Sequence, residues 1–161
     1  AEGAVFHAMG ETDATLEGLP VMVLGYGLFG RETARRLNAL GARVTVLARR
    51  EEVRQLARSD GMRACPFEAF IGFAGETKLL LNTVPARLLN RERLSALPKD
   101  CVLLELASTP GGFDPEVARS LGLRQRNLPG LPGKYAPDAA ADALEAACRY
   151  FFRQETEGRT R

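Results

Sequence analysis

Several kinds of residue and pattern are scarce in this sequence. It carries one histidine, His7, and three cysteines, Cys65, Cys101 and Cys148. An odd number of widely spaced cysteines suits neither a disulfide framework nor a zinc site, so they read as reduced packing thiols of a cytoplasmic protein. His7 lies far from every other motif, and a surface or interface position is the expectation for it. No Ser-His-Asp arrangement, no carboxylate pair at a clear spacing and no metal-ligand cluster can be assembled. No apolar run is long enough to span a bilayer, and no basic-then-apolar leader opens the chain. A net charge of +2 with scattered basic residues offers no footprint for nucleic acid. What remains is 161 residues, 45% apolar and 26% charged, the make-up of an ordinary globular protein. One domain of this size buries roughly 70% of its unfolded surface and needs no covalent or metal staple.

Apolar runs and helical patterns alternate along the chain. Val21 to Leu24, Arg43 to Leu47, Lys78 to Leu81 and Cys101 to Leu106 read as strands, with weaker ones at Met62 to Cys65 and Leu123 to Leu128. Their near-continuous apolar character is what a sheet covered on both faces requires. Between them, Thr33, Ala34, Leu37 and Leu40 recur at helical spacing and Gly41 ends the helix. Glu51 to Arg58 is a shorter helix. Asp114 caps another that begins with Pro115 and closes at Gly122, and Pro137 opens an alanine-rich one running to about Phe152. The first ten residues also look helical. The expected architecture is a three-layer α/β domain, a doubly wound parallel sheet of Rossmann type, over residues 1–152. Residues 1–18 form its leading helix and connector, and residues 153–161 a polar tail that frays.

The first strand runs into Gly25-Tyr26-Gly27-Leu28-Phe29-Gly30. A GxGxxG is weak alone, but here a strand precedes it, a helix follows, and a second strand comes at the right distance. Gly25 permits the tight turn, Gly27 lets a pyrophosphate approach the backbone, and Gly30 lets the helix pack against the sheet. The helix N-terminus then offers N–H groups and partial positive charge to the phosphates. The second strand ends in Ala48-Arg49-Arg50, where NAD-specific domains place an acid about 20 residues beyond the motif. Arginine suits a 2′-phosphate, which favours NADP(H) over NAD(H). The other possibility is that Arg49 and Arg50 merely start a solvated helix and that Glu51 or Glu52 reaches the ribose.

Thr83, Val84 and Pro85 follow the fourth strand and are expected to line the ribose-nicotinamide half of the cofactor site. Ala107 and Ser108 follow the fifth, where small residues admit the nicotinamide and Ser108 offers a hydrogen bond. Glu105, odd in an apolar strand, reads as a buried, satisfied carboxylate. Leu128 to Pro137 contains two Pro-Gly pairs and is expected to be a rigid loop near the nicotinamide end. Pro132 is a cofactor contact there. Lys134 is a candidate for binding an anionic substrate group or relaying a proton, with an exposed loop lysine as the alternative.

Together these segments resemble the dipicolinate synthase A subunit from endospore-forming bacteria. The resemblance covers essentially the whole chain, from Ala1-Glu2-Gly3-Ala4 through the glycine turn, Gly41 to Val46 and Asn82 to Ala86. It is most specific at Leu106 to Gly112 and Pro129 to Pro137. It implies oxidation of a dihydrodipicolinate-type intermediate to dipicolinate, with a nicotinamide cofactor taking the hydride. It also implies a dicarboxylate substrate, a partner in the flavoprotein-like B subunit of dipicolinate synthase, and a place in the mother cell of a sporulating bacterium. Some of the partners for the substrate carboxylates are expected from Lys134 and from amides of Gly111, Gly112 and Gly133, and a homo-oligomer stays open. The family carries a further N-terminal, substrate-side domain, so this chain, which opens without Met, is expected to be part of a longer protein. Two other readings remain. One is the cofactor domain of a shikimate-, methylene-tetrahydrofolate- or 2-hydroxyacid-type dehydrogenase. The other is a non-catalytic module that senses NADP(H).

Overall fold

The computed structural model describes residues 1–138, 141, 142 and 145. The chain divides into two compact units, Ala1–Pro129 and the residues from Gly130 onward. The first contains six parallel strands: β1 (Pro20–Leu24), β2 (Arg43–Leu47), β3 (Arg63–Cys65), β4 (Leu79–Asn82), β5 (Val102–Glu105) and β6 (Arg124–Asn127). They lie in the order β3-β2-β1-β4-β5-β6, the arrangement of a doubly wound dinucleotide-binding sheet. α1 (Glu2–Glu11) precedes them, and between them run α2 (Leu28–Ala39), α3 (Glu51–Ser59), α4 (Phe70–Ala74), α5 (Arg91–Ser95) and α6 (Pro115–Ser120).

The central strands are apolar throughout because successive side chains enter two different cores. Val21 and Val23 of β1 pack with Val44, Val46, Leu79, Leu81, Ala34 and Leu37 on one face. Met22 and Leu24 pack with Leu47, Leu80, Leu103, Phe70, Leu94 and Ala118 on the other. Ala8 of α1 joins the first core, so the leading helix packs on the sheet. At the far edge β6 reads Arg-Gln-Arg-Asn and is largely exposed, and such charge on an edge strand discourages pairing with another chain.

Local chemistry sets the helix ends. Asp114 caps α6 by accepting from the Glu116 N–H at 2.9 Å, with Pro115 in the first turn. Asn90 caps α5 in the same way at Arg93, 3.0 Å. The segment after Pro129 differs from the expected loop: Leu131–Tyr135 form a short helix, α7. Gly130, at φ +69°, turns the chain into it. Pro132 falls in its first turn, where a missing N–H costs no hydrogen bond. Pro137, Asp138, Ala141, Asp142 and Glu145 are helical too, and the rest of the helix expected up to Phe152, with Cys148 and the tail, lies outside the described residues.

Candidate functional site

β1 stands between β2 and β4, the point where the order of winding reverses and where open α/β sheets leave a crevice at the strand ends. Leu24 is paired with both Leu47 and Asn82, which sets Gly25, Ala48 and Thr83 side by side. Gly25 has φ +87°, and a Cβ there would lie 2.6 Å from Val84 Cγ2 and 2.7 Å from Thr83 Oγ1. A Cβ on Gly30 would lie 2.8 Å from the Gly25 carbonyl oxygen, so α2 starts directly against the turn. Thr83 locks the seam by donating from Oγ1 to the Leu24 carbonyl at 2.8 Å. Gly27 is different: nothing lies within 4 Å of where its Cβ would be. No side chain caps α2 and no acid stands in its first turn, so its leading N–H groups are left without a side-chain acceptor beside that open space. The residues present therefore fit a bound pyrophosphate.

A cleft of about 410 Å³ opens beside this turn, lined by Gly25, Tyr26, Gly27, Ala48, Arg49 and Arg50, and closed by Val53, Phe67, Val84, Ala86 and Leu88. Arg49 and Arg50 are exposed, and neither guanidinium has a hydrogen-bond or ion-pair partner among the described residues. The neighbouring cation is occupied: Arg54 donates to the carbonyls of Ala48 at 2.8 Å and Arg49 at 2.6 Å. Glu51 is gripped by Arg54 at 2.6 Å and Arg58 at 2.7 Å, and its carboxyl sits below the usual range because Arg58 and then Arg54 donate to it. Glu51 is thus engaged within its own helix rather than open to a ribose.

Tyr26 lines the cleft, but its hydroxyl points elsewhere, donating to Asp60 Oδ2 at 2.7 Å. Arg31 donates to both oxygens of Asp60, at 2.8 and 3.2 Å. Donation from Arg31 and then from Tyr26 pulls the Asp60 carboxyl down to about 2. Burial, reinforced by Asp60, pushes the Tyr26 hydroxyl up. This triad ties the glycine turn and the start of α2 to the end of α3. Sequence reasoning missed it because Asp60 lies at a helix end with nothing in its neighbours to mark it.

At the ends of β4 and β5, paired in register, stand Asn82 and Glu105. Asn82 Nδ2 donates to Glu105 Oε1 at 2.7 Å, as does the Ala107 N–H at 3.0 Å, while the Gly112 N–H donates to Oε2 at 2.7 Å. Glu105 is therefore the satisfied buried carboxylate that its position suggested. Gly111 donates its N–H to the Ser108 carbonyl at 3.0 Å. The amides of Gly111 and Gly112 are thus engaged within the loop, and the expectation that they meet substrate carboxylates is corrected.

A second cleft, about 300 Å³, lies over the ends of β5 and β6, lined among others by Arg87, Ala107, Ser108, Pro110 and Asn127. Arg87 is a lining cation that the sequence reading passed over as one more scattered basic residue. Its only signal was its place five residues beyond the end of β4. Leu28 and Pro85 are exposed, and Phe29 lies in the first turn of α2. Pro132 and Lys134 belong to the separate unit that begins at Gly130, in α7, with Lys134 Nζ 5.9 Å from the Tyr135 ring centre. Among the described residues no group of His, Cys, Asp and Glu is arranged to hold a metal ion, and no helix is long and apolar enough to cross a membrane.

A parallel sheet wound in both directions from its centre, with an uncapped helix opening on a bare glycine turn at the reversal, defines a dinucleotide-binding domain of dehydrogenase type. Residues 4–110 match the family model "D-isomer specific 2-hydroxyacid dehydrogenase, NAD binding domain", and the chain belongs to that family. It is 38% identical over 145 residues to the dipicolinate synthase A subunit of Bacillus subtilis (strain 168), covering 89% of this chain and 48% of that protein. The crystal structure of the dipicolinate synthase A subunit from Bacillus halodurans superposes with a TM-score of 0.87 at 33% identity, over 93% of this chain and 52% of that one. Shikimate 5-dehydrogenase from Thermus thermophilus, solved in complex with NADP(H) and shikimate, gives a TM-score of 0.60 at 29% identity, over 78% of this chain and 48% of that one. The chain thus spans about half the length of the dipicolinate synthase subunits it matches.

Proposed function

We propose that this chain is the NADP(H)-binding part of an oxidoreductase that converts a dihydrodipicolinate-type intermediate to dipicolinate. The observation that carries the reading is one cleft that joins an open glycine apex, an uncapped helix start and two arginines without partners among the described residues. The backbone of residues 25–30 holds the pyrophosphate, and Arg49 and Arg50 take the 2′-phosphate through paired, charge-assisted hydrogen bonds. Thr83, Val84 and Pro85 stand along the ribose-nicotinamide half, with Ala107 and Ser108 beyond them. A bound nicotinamide dinucleotide supplies the hydride acceptor, and aromatisation of the pyridine ring favours the oxidation. The resemblance to dipicolinate synthase supports Pro132 as a further cofactor contact and Lys134 as a cationic partner for the substrate.

Similarity to dipicolinate synthase supports the substrate class, the sporulating mother cell as the setting and, as partner, the B subunit of such an enzyme. The description of the matched family as NAD-binding supports a second reading in which NAD(H) is the cofactor. A fluorescence titration separates the two. NADPH is expected to bind about tenfold more tightly than NADH, and Arg49→Asp to remove most of that preference. Tighter binding of NADH by the unmutated chain overturns the NADP(H) reading, and failure of both nucleotides to bind overturns the cofactor site.

A further inference from the structure

Arg87 lines the cleft over β5 and β6 and makes no ion pair among the described residues. The common fate of an arginine on this surface is otherwise: Arg31, Arg54 and Arg126 each hold a carboxylate. Its Nη1 donates to the Phe113 carbonyl. The segment that carries Arg87 is fixed by main-chain bonds. Leu88 and Leu89 donate their N–H groups to the Gly112 carbonyl at 2.9 and 2.8 Å, and Leu89 bridges Phe113. Gly112 in turn donates to Glu105, which accepts from Asn82. A Cβ at Gly112 would lie 2.5 Å from the Asn82 carboxamide, so this loop rests directly on the end of β4. The chain of contacts fixes the segment that carries this guanidinium above the strand ends where ligands of such sheets sit, and leaves it with donors to spare.

The other polar groups of the cleft narrow what it receives. Its carboxylate, Glu105, is 7% exposed and accepts three N–H bonds, so its charge is turned into the loop. The Gly111 and Gly112 amides are engaged, and the Gln125 amide donates to the Pro115 carbonyl at 2.9 Å. Ser108 is exposed, and its hydroxyl has no partner among the described residues. The Thr109 hydroxyl and the Asn127 carboxamide line it as well, so the cleft presents a planar cationic fork set among neutral polar groups, a donor set that matches a carboxylate.

We propose that Arg87, assisted by Ser108, recognises a carboxylate of the small-molecule substrate. The inference rests on the dehydrogenase reading above and adds to it the residue that selects an acid. The test is calorimetric titration of the chain with pyridine-2,6-dicarboxylate and, as the uncharged control, pyridine-2,6-dicarboxamide, each with and without NADPH. The dicarboxylate is expected to bind and the dicarboxamide to bind at least about tenfold more weakly. Arg87→Gln is expected to weaken the dicarboxylate about tenfold or more and leave NADPH affinity within about twofold. Arg87→Lys keeps the charge without the planar fork, and is expected to fall between the two and to guard against a folding defect in the first variant. Dicarboxylate affinity unchanged in both variants, or no preference for the dicarboxylate over the dicarboxamide, overturns the assignment. Loss of NADPH binding by the unmutated chain counts against the cofactor reading alone, because the cofactor-free titrations judge Arg87 separately.

Discussion

Asp60 shows how a residue remote from any motif governs the site. It receives hydrogen bonds from Tyr26 of the glycine turn and Arg31 of α2, and its side chain is 14% exposed. Its carboxyl is lowered to about 2 in the fold, against 3.8 ordinarily. A depressed acid stabilises the folded state above its ordinary pKa, and that contribution is lost as pH falls from about 4 through about 2. Asp60→Asn is accordingly expected to cost about 1–3 kcal/mol at pH 7 in urea unfolding, and much less near pH 2. The Tyr26 hydroxyl shifts the other way, so its contribution is complete below its ordinary pKa near 10 and declines as pH rises beyond that. A variant that loses as much stability at pH 2 as at pH 7 would show that the triad does not act through the charge on Asp60.

The turn from β1 into α2 separates what the fold needs from what a ligand needs. At Gly25 an alanine faces both φ +87° and a contact at 2.6 Å with Val84, and should cost about 2–4 kcal/mol in strain and overpacking. Gly27 has φ −71°, which any residue adopts, and open space above it. Gly27→Ala should change stability by less than about 0.5 kcal/mol yet weaken NADPH about tenfold or more, because its methyl stands where the pyrophosphate belongs. Urea unfolding paired with cofactor titration checks both variants, and an unchanged NADPH affinity in Gly27→Ala would remove the phosphate from this turn. This turn was legible in the sequence because strand, glycines and helix follow one another within a dozen or so positions and each has a stated geometric job. The central strands were legible for a similar reason, since burial on both faces leaves a continuous apolar run. The helices α4 and α5 were not: each has five residues, too few to show a period. The α7 helix was hidden by Pro132 and Gly133, which read as loop formers although the first turn of a helix tolerates proline. The bonds that place Arg87 and engage the Gly112 amide join residues about 20 or more positions apart or run through main-chain atoms, so residue type and spacing carry no trace of them.

For the molecule as a whole, the reversal between β1 and β4 couples the cofactor to the stability of the sheet. Gly25 and Ala48 come from the β1–β2–β3 half and Val84 from the half that begins at β4, and all three line one cleft. A ligand there contacts both halves and binds only when they are assembled, so it must raise the melting temperature by mass action. At about 100 times its Kd a single-site ligand adds about 2.7 kcal/mol. For a chain of this size each kcal/mol is worth about 2–4 °C, which gives a rise of about 5–10 °C. The same arithmetic tests the arginines. A tenfold preference for NADPH over NADH is about 1.4 kcal/mol and appears as a difference of about 3–6 °C at equal saturating concentrations. Replacing Arg49 and Arg50 together with Asp should lower the NADPH-stabilised melting point to that with NADH while leaving the cofactor-free value nearly unchanged, since neither side chain has a partner among the described residues to lose. Equal shifts from the two nucleotides in the unmutated chain would mean that the exposed arginines do not read the 2′-phosphate, and the NAD-binding behaviour of the matched family would then hold for this chain as well.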